Sequence, residues 1–178
     1  MDAVATAQIR LAGREDLEAI MALEAEAFPH GWSVQSWEQT IRDHYVAVAD
    51  DGLGVIAMSE VAGTAELLRV IVSPQARGHG LGRALVVHGL EWASCFGATE
   101  VFLEVSADNP IAIRLYESLG FALLDRRKNY YGPDDDALVY RRVIPSSDPV
   151  ILTQSGSPSY LQVPAPSTPS EEETCPNR

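Results

Sequence analysis

The spacing of apolar residues divides the first half of the chain into a strand, two helices and three further strands. A strand is predicted over residues 7–12, and residues 14–28 form a helix with one broad apolar face. A second, short helix begins after Ser33, a residue suited to the N-cap position. Three strands in close succession then indicate an antiparallel meander. They cover residues 45–49, 54–61 and 66–72.

Helices and strands alternate in the second half of the chain. Asn109-Pro110 supplies a capping side chain followed by a proline in the first turn, which predicts the start of a helix there. The pattern is that of a mixed α/β domain with an antiparallel front half and a central β-α-β-α unit. The predicted elements are a helix from Leu81 to near Gly97, a strand over 100–106, a helix from Pro110 to Gly120, and strands over 121–125 and 137–143.

The composition changes near Pro145. Residues 145–178 hold 7 of the 11 prolines, 7 serines and the run Glu171-Glu172-Glu173. Such a segment cannot bury enough apolar surface to fold. We therefore predict one domain over residues 1–144 and a disordered Pro/Ser/Glu-rich tail over residues 145–178.

Charge and composition narrow the classes of function. The formal net charge of −12, from 13 basic and 25 acidic residues, argues against a nucleic-acid ligand, since phosphate backbones are bound by clustered Lys and Arg. It favours a basic peptide as partner, although acidity that serves solubility alone is an equal alternative. No apolar run approaches the ~18 residues of a membrane span, and the N-terminus lacks the features of a secretory signal. We expect a cytoplasmic protein without a membrane partner.

A glycine-rich loop stands between a predicted strand and a predicted helix. Free backbone amides and the positive helix end make such a junction a site for phosphate oxygens. The loop is not a P-loop, because no Lys-Ser or Lys-Thr follows, and Gly-x-Gly-x-x-Gly fails because residue 83 is arginine. A tight turn that only caps the helix is the alternative. The loop residues are Arg77, Gly78, His79, Gly80, Leu81, Gly82 and Arg83.

Glu104 lies in a strand that otherwise packs. Alternation places it on the face opposite Val101, Leu103 and Val105, and its neighbour Phe102 suggests that this face is covered too. A carboxylate on a half-buried strand is a candidate for chemistry, while an edge-strand glutamate that reaches solvent is the alternative.

The helix after Asn109 presents two adjoining faces. Asn109, Ala112 and Tyr116 are spaced three and four apart and share one face, which can serve a site. The alternative for Tyr116 is a core tyrosine with a polar end. The adjoining face is expected to pack, and consists of Ile111, Leu115 and Leu119.

The glycine-rich loop resembles the Arg/Gln-x-x-Gly-x-Gly/Ala pyrophosphate loop of the GNAT acetyltransferases, through Arg77, Gly80 and Gly82. The resemblance implies a GNAT α/β fold with a mixed, mostly antiparallel sheet of roughly six to seven strands flanked by about four helices. It implies acetyl-CoA as cosubstrate, with its pyrophosphate on the loop amides and its pantetheine arm against the preceding strand. The implied cofactor-binding residues are Val70, Ile71, Val72, Arg77, Gly78, His79, Gly80, Leu81, Gly82, Arg83 and Asn109.

Other stretches resemble the RimI branch of that family, namely residues 103–105, 109–121 and 127–131, with Phe28-Pro29 and Trp32-Ser33. The match covers nearly all of residues 8–143. That branch acetylates the N-terminal alanine of a small-subunit ribosomal protein, which implies a protein N-terminus as acceptor. The implied acceptor-binding residues are Phe28, Trp32, Asn129, Tyr130 and Tyr131.

Two departures from that branch bear on the acceptor. His30-Gly31 is inserted between Phe-Pro and Trp-Ser, and Ser106 stands where that branch commonly has arginine. Residues 127–131 are open to two interpretations, a wall of the peptide groove or a charged strand edge with core aromatics.

The resemblance makes Glu104 and Tyr116 the catalytic pair. Glu104 takes a proton from the acceptor ammonium, directly or through a water, and Tyr116 protonates the departing thiolate, while an amide near Val72 stabilises the oxyanion. An α-amine with a pKa of ~8 is more easily deprotonated than a lysine with a pKa of ~10.4. A lysine or small-molecule acceptor, or a non-catalytic acetyl-CoA-binding module, are the alternatives. No metal is expected, because the four histidines show no ligand spacing and are interpreted as surface or loop residues: His30, His44, His79 and His88.

Overall fold

The chain folds around one seven-stranded sheet in the computed structural model, which describes residues 8–49 and 52–145. The strand order is β1-β2-β3-β4-β5-β7-β6, and neighbouring strands are antiparallel except β4 and β5, which are parallel. The predicted tail over 146–178 lies outside the described residues. The strands are β1 (Ile9–Leu11), β2 (Tyr45–Ala49), β3 (Gly54–Val61), β4 (Thr64–Val72), β5 (Glu100–Ser106), β6 (Ala122–Gly132) and β7 (Asp135–Val143).

Four α-helices flank this sheet in the described part of the chain. Two of them begin as the sequence predicts, since Ser33 Oγ accepts the amide of Ser36 at 3.1 Å and Asn109 Oδ1 accepts the amide of Ala112 at 3.1 Å. The expected mixed and mostly antiparallel α/β fold is therefore confirmed. The helices are α1 (Leu17–Ala27), α2 (Val34–Asp43), α3 (Leu81–Cys95) and α4 (Pro110–Ser118).

A separate apolar core lies on each face of the sheet. The larger core joins α3 and α4 to the sheet, and the smaller joins α1 and α2 to strands β2 to β4. The alternation predicted for β5 is present, because Val101, Leu103 and Val105 are buried in the larger core while Glu104 is on the other face. Each face of β5 thus has its own environment.

Strands β4 and β5 pair at their first residues only and then separate. The parallel register runs from Thr64 opposite Glu100 to Leu67 opposite Leu103, after which β4 continues to Val72 and β5 to Ser106 without a ladder. Backbone donors and acceptors beyond Leu67 and Leu103 therefore face a gap, where a ligand can supply the missing partners.

A β-bulge in β4 lies where this gap begins. Met58 pairs with Leu67 and Ala57 pairs with Arg69, so Leu68 is an extra residue in β4. Leu67 packs in the larger core, whereas Leu68 packs against the smaller one. Arg69 lies on the same side as Leu68, where it contacts Phe28 and Trp32.

Two expectations from the sequence were wrong in detail. The strand predicted over 121–125 extends to Gly132, so residues 127–131 belong to β6, the exposed edge strand of the sheet. His88 is not a surface or loop residue, since it lies in α3, is partly buried, and its Nδ1 is hydrogen-bonded to the hydroxyl of Tyr45.

Candidate active site

A cavity of about 640 Å³ lies along the last residues of β4, on the side where β5 has separated from it. Its walls come from the end of α1, the last residues of β4, the glycine-rich loop and α4. The apolar lining suits a flexible arm, and the loop at its end offers backbone amides. The lining residues are Ala27, Phe28, Val70, Ile71, Val72, Ala76, Arg77, Gly78, Gly80, Leu81, Gly82, Arg83, Asn109, Ile111, Ala112, Leu115 and Tyr116.

The glycine-rich loop owes its shape to two glycines with positive φ. Gly78 has φ +79° and Gly80 has φ +87°, conformations that other residues rarely adopt. Gly80 is the N-cap of α3, so the first amides of that helix have no acceptor within the helix. Arg77 folds back on β4 through a 3.1 Å hydrogen bond from Nε to the carbonyl of Val72. His79 is exposed and is not among the cavity-lining residues.

Tyr116 lies at the inner wall of the cavity and is only 4 % exposed. Burial first, and then the nearby Tyr131, raises the pKa of Tyr116 to about 12, so its hydroxyl stays protonated at neutral pH. Phe121 packs edge-on against its ring at 5.8 Å between centroids. The expected packing face of α4 was wrong in part, because Leu119 is buried while Ile111 is 73 % exposed and lines the cavity.

Glu104 lies outside this cavity, on the opposite face of β5. Its side chain is 24 % exposed, and Oε1 accepts a hydrogen bond and ion pair from Nη1 of Arg127 in β6. The guanidinium of Arg127 also lies over the ring of Tyr130, 5.5 Å from its centroid. Glu104 is thus a partly covered carboxylate held by a cation, and an acceptor ammonium would compete with that cation.

Phe28 and Trp32 contribute to one cluster around Arg69. The guanidinium of Arg69 lies 4.2 Å from the centroid of Phe28 and 4.6 Å from that of Trp32. Glu24, which is 1 % exposed, holds Arg69 through a 3.0 Å ion pair and accepts the amide of Trp32 at 2.7 Å. Phe28 also lines the cavity, so the cluster adjoins it directly.

The aromatic pair of β6 is half-exposed. Tyr130 and Tyr131 meet edge-on with centroids 5.1 Å apart, so they are not the core aromatics of the alternative interpretation. Burial, followed by the charge of Glu104, raises the pKa of Tyr131, whereas Arg69 opposes the shift. Tyr131 therefore lies within electrostatic reach of Glu104, Arg69 and Tyr116.

Asn129 shapes the turn beyond this pair. Its φ is +55°, its amide donates to Asp136 Oδ1 at 2.8 Å, and its Oδ1 accepts the amide of Asp134 at 2.9 Å. Ser106, the other departure on this side, is hydrogen-bonded to Asp135 at 2.6 Å. Asn129 thus holds the β6–β7 hairpin, whereas Ser106 links the end of β5 to the start of β7.

Sequence reasoning missed several residues of this region. Arg69 was the residue most easily recognised from the sequence, since it is a single cation within the apolar run of β4. Glu24 resembles any charged residue of α1 in the sequence, and only the tertiary structure identifies it as buried. The cavity residues that were not foreseen as cofactor-binding are Ala27, Ala76, Ile111, Ala112 and Leu115.

Neither a metal cluster nor a membrane-spanning helix is found in the described part of the chain. No group of three or more His, Cys, Asp or Glu side chains there could hold a metal ion. No helix of residues 8–49 and 52–145 is long and apolar enough to cross a membrane.

A parallel strand pair that separates beside a glycine-rich loop at a helix N-terminus is suited to a ligand with an extended arm and phosphate groups. The model of the acetyltransferase (GNAT) family matches residues 17–121, and the chain belongs to that family. It is therefore an acetyltransferase, and the family implies acetyl-CoA as cosubstrate.

Two named relatives are similar to this chain over different lengths of sequence. The chain is 34 % identical over 127 residues to a [ribosomal protein bS18]-alanine N-acetyltransferase of Salmonella typhimurium, which covers 69 % of this chain and 86 % of the relative. It is 43 % identical over 94 residues to a mycothiol acetyltransferase of Nocardiopsis dassonvillei, covering 53 % of this chain and 28 % of that protein.

Solved structures give the same picture of the fold. The ribosomal-protein-S18-alanine N-acetyltransferase of Escherichia coli superposes with a TM-score of 0.71 at 27 % identity, over 86 % of this chain and 99 % of that one. Ard1 of Thermoplasma volcanium has a TM-score of 0.71 at 24 % identity, over 79 % and 99 % of the two chains, and so shares the fold.

Proposed function

We propose that this protein transfers the acetyl group of acetyl-CoA to the N-terminal α-amine of a protein, by direct attack in a ternary complex. The acceptor that we propose is the N-terminal alanine of a small-subunit ribosomal protein. The observation that carries the proposal is the cavity between β4 and β5, whose walls include every expected cofactor-binding residue except His79, together with Tyr116. A ribosomal acceptor would put the reaction in the cytoplasm.

The cavity suits the two ends of acetyl-CoA. The loop amides and the positive end of the 15-residue helix α3 would bind the pyrophosphate. Val70, Ile71 and Val72 pair with β3 but have no ladder to β5, and backbone groups on that open side would bond to the pantetheine arm as a neighbouring strand does. An amide near Val72 would then face the thioester oxygen and stabilise the oxyanion.

Glu104 and Tyr116 divide the proton transfers in this proposal. The acceptor arrives as an ammonium, loses a proton to Glu104 directly or through a water, and attacks the thioester carbon. When the tetrahedral intermediate collapses, the carbon–sulfur bond breaks and Tyr116 donates its proton to the thiolate. The nitrogen of the intermediate gives up its extra proton, through solvent, to restore the Tyr116 hydroxyl, and Glu104 releases its proton to water. The buried, protonated hydroxyl of Tyr116 supports that role.

The surroundings of Glu104 support a cationic peptide end as acceptor. Glu104 shares this side of the sheet with the carboxylates of the β6–β7 turn, which include Asp134 and Asp135. Tyr131 is within electrostatic reach of both Glu104 and Arg69, and Phe28 and Trp32 pack against the guanidinium of Arg69. Such a groove attracts an ammonium and packs a small side chain, as an N-terminal alanine requires.

A small-molecule amine is the second candidate acceptor. It rests on the 43 % identity to a protein named as a mycothiol acetyltransferase, of which this chain covers 28 %. A lysine side chain is a third acceptor class with the same chemistry and a higher cost of deprotonation.

A panel of acceptors tests the proposal by mass spectrometry. Alanine-initiated peptides incubated with enzyme and acetyl-CoA should gain one acetyl group on the α-amine. Peptides of the same sequence with a blocked N-terminus and an internal lysine should stay unmodified. Acetylation confined to the blocked lysine peptide or to small amines would contradict the proposal.

A further inference from the structure

The bulge at Leu68 gives Arg69 a position that strand alternation does not predict. In a regular β4, Arg69 would share the face of Leu67 and enter the larger core. The extra residue rotates it to the opposite face, beside α1. Bulges of this kind re-aim a side chain and are frequent next to active sites.

The guanidinium of Arg69 keeps unused donors in this position. It has five N–H groups, and Nη2 bonds to Oε1 of Glu24 at 3.0 Å. Its Nε is buried and has no hydrogen-bond partner in the part of the chain that the structure describes. Burying a donor without a partner is costly, and the Arg69 side chain as a whole is 17 % exposed, so an incoming oxygen that accepts from the guanidinium would be favourable.

The rings around Arg69 connect it to both substrates. Phe28, which lies against the guanidinium, also lines the cofactor cavity. Arg69 and Glu104 lie on the same face of the sheet, just beyond the last β4–β5 pair of Leu67 and Leu103, and Tyr131 is within electrostatic reach of both. An acceptor whose amine reaches Glu104 and whose chain passes Tyr131 would therefore bring its first peptide group close to Arg69.

We propose that Arg69 is a specificity-determining residue that donates a hydrogen bond to the first peptide carbonyl of the acceptor. The proposal rests on the proposed function, because it needs a peptide with a reactive α-amine. Arg69 then favours acceptors in which a carbonyl carbon lies two bonds from the reactive amine nitrogen. Lysine side chains and simple amines lack a carbonyl at that distance and are disfavoured.

A carbonyl fits this site better than a carboxylate. The ion pair with Glu24 already balances the charge of Arg69. The carboxylates of Glu104 and Asp135 also act on Tyr131, and Arg127 is already paired with Glu104. An acidic acceptor side chain would meet these carboxylates, whereas a neutral carbonyl dipole would not.

The test compares two acceptors and uses a background that keeps the core folded. Replacing Arg69 alone would leave the carboxylate of Glu24 buried without its cation, which is strongly destabilising. The comparison is therefore between Glu24→Gln, which leaves a guanidinium that is 17 % exposed and keeps contact with solvent, and the double variant Glu24→Gln/Arg69→Gln, with the fold of both checked by circular dichroism. The acceptors are an alanine-initiated peptide and the same peptide with its first carbonyl reduced to a methylene.

Loss of Arg69 should affect one acceptor only. In the double variant, kcat/KM for the peptide should fall about 10- to 100-fold relative to Glu24→Gln, while kcat/KM for the reduced analogue stays the same. The difference in pKa between the two acceptor amines does not affect the result, because each acceptor is compared with itself in the two enzyme variants. Acetyl-CoA affinity, measured by calorimetry, should be equal in both variants.

Other outcomes separate the two proposals. An equal fall for both acceptors, or no change for either, would overturn the role of Arg69. A parental enzyme that acetylates small amines and no peptide would instead overturn the proposed function. Arg69→Lys in the Glu24→Gln background should recover part of the peptide preference, since an ammonium donates hydrogen bonds without the planar geometry of a guanidinium.

Discussion

Glu100 and Glu104 form a natural comparison at the scale of single residues. Both side chains leave the same face of β5, and they are 26 % and 24 % exposed. Each is paired with an arginine, Glu100 with Arg141 at 2.7 Å and Glu104 with Arg127. They differ in position, because only Glu104 lies beyond the point where β4 and β5 separate.

Glu104→Gln should reduce turnover by about 10² to 10⁴ while acetyl-CoA affinity stays near that of the parental enzyme. The amide keeps the shape of the side chain and cannot take the proton. Steady-state rates with an alanine-initiated peptide at saturating cofactor measure the effect. Glu100→Gln, which loses a similar ion pair away from the site, is the control and should retain turnover. Equal rates for the two folded variants would remove Glu104 from the proposed mechanism.

The loop and first turn of α3 show how one element serves both stability and binding. Gly80 is in the left-handed region with open space around its Cα, so its constraint is conformational. Gly82 is within the helix, where an added Cβ would lie 3.5 Å from Val72 Cγ2 and 3.7 Å from Leu115 Cδ2. A side chain at position 82 would therefore take up space in the cavity, which Val72 and Leu115 both line.

Alanine at these two positions should change thermal stability in opposite directions. Gly80→Ala should destabilise the fold by about 1 to 2 kcal/mol, since alanine is strained at positive φ. Gly82→Ala should stabilise it by roughly 0.5 to 1 kcal/mol, because alanine favours the helix, and should weaken acetyl-CoA binding by filling the cavity. Melting temperatures and calorimetry measure both effects. A melting temperature that moves the same way in both variants would contradict this account.

The sequence predicted some elements to the residue and missed others for physical reasons. Strands β2, β3 and β5 match their predicted bounds because apolar residues run through them and polar or glycine residues flank them. Most of β6 was missed, since an edge strand exposed on both faces has no apolar alternation, and residues 126–129 are charged or polar.

The site was predictable where it depends on local backbone and not where it depends on tertiary contacts. The loop 77–83 and the cap at Asn109 are each formed by residues that are close together in the sequence. Nearly all of these residues line the cavity. The bulge at Leu68 left no signal in an apolar run, and the partners of Arg69 and Glu104 come from distant segments. Roles for these residues stay predictions until variants are assayed.

Tyrosine hydroxyls that are wholly or partly buried make the stability of the whole molecule depend on alkaline pH. Burial raises the pKa of Tyr45, Tyr116, Tyr131 and Tyr140 above the ordinary value near 10. The folded state therefore holds these protons more tightly than the unfolded chain does. Their contribution is fully present below about pH 10 and is lost as the pH rises through the folded-state pKa values.

Tyr116→Phe should make the melting temperature less sensitive to pH between pH 9 and 11. With a folded-state pKa of about 12, Tyr116 accounts for about 1 kcal/mol of the loss at pH 11, or roughly 3 to 5 °C. Calorimetric melts across this range measure the slope. Tyr130→Phe, at an exposed position of β6, is the control. A slope in Tyr116→Phe equal to that of the control would show that burial of Tyr116 is not what couples folding to pH.

The short ladder between β4 and β5 divides the sheet into two half-sheets. Four residue pairs join them, against eight pairs between β3 and β4 and seven between β5 and β7. One half-sheet carries Arg69 and its aromatic neighbours, and the other carries Glu104. A substrate that spans the gap contacts both half-sheets, so the angle between them sets the distance from amine to base. A substitution far from any ligand could then alter the reaction rate by changing that angle, with both cores intact.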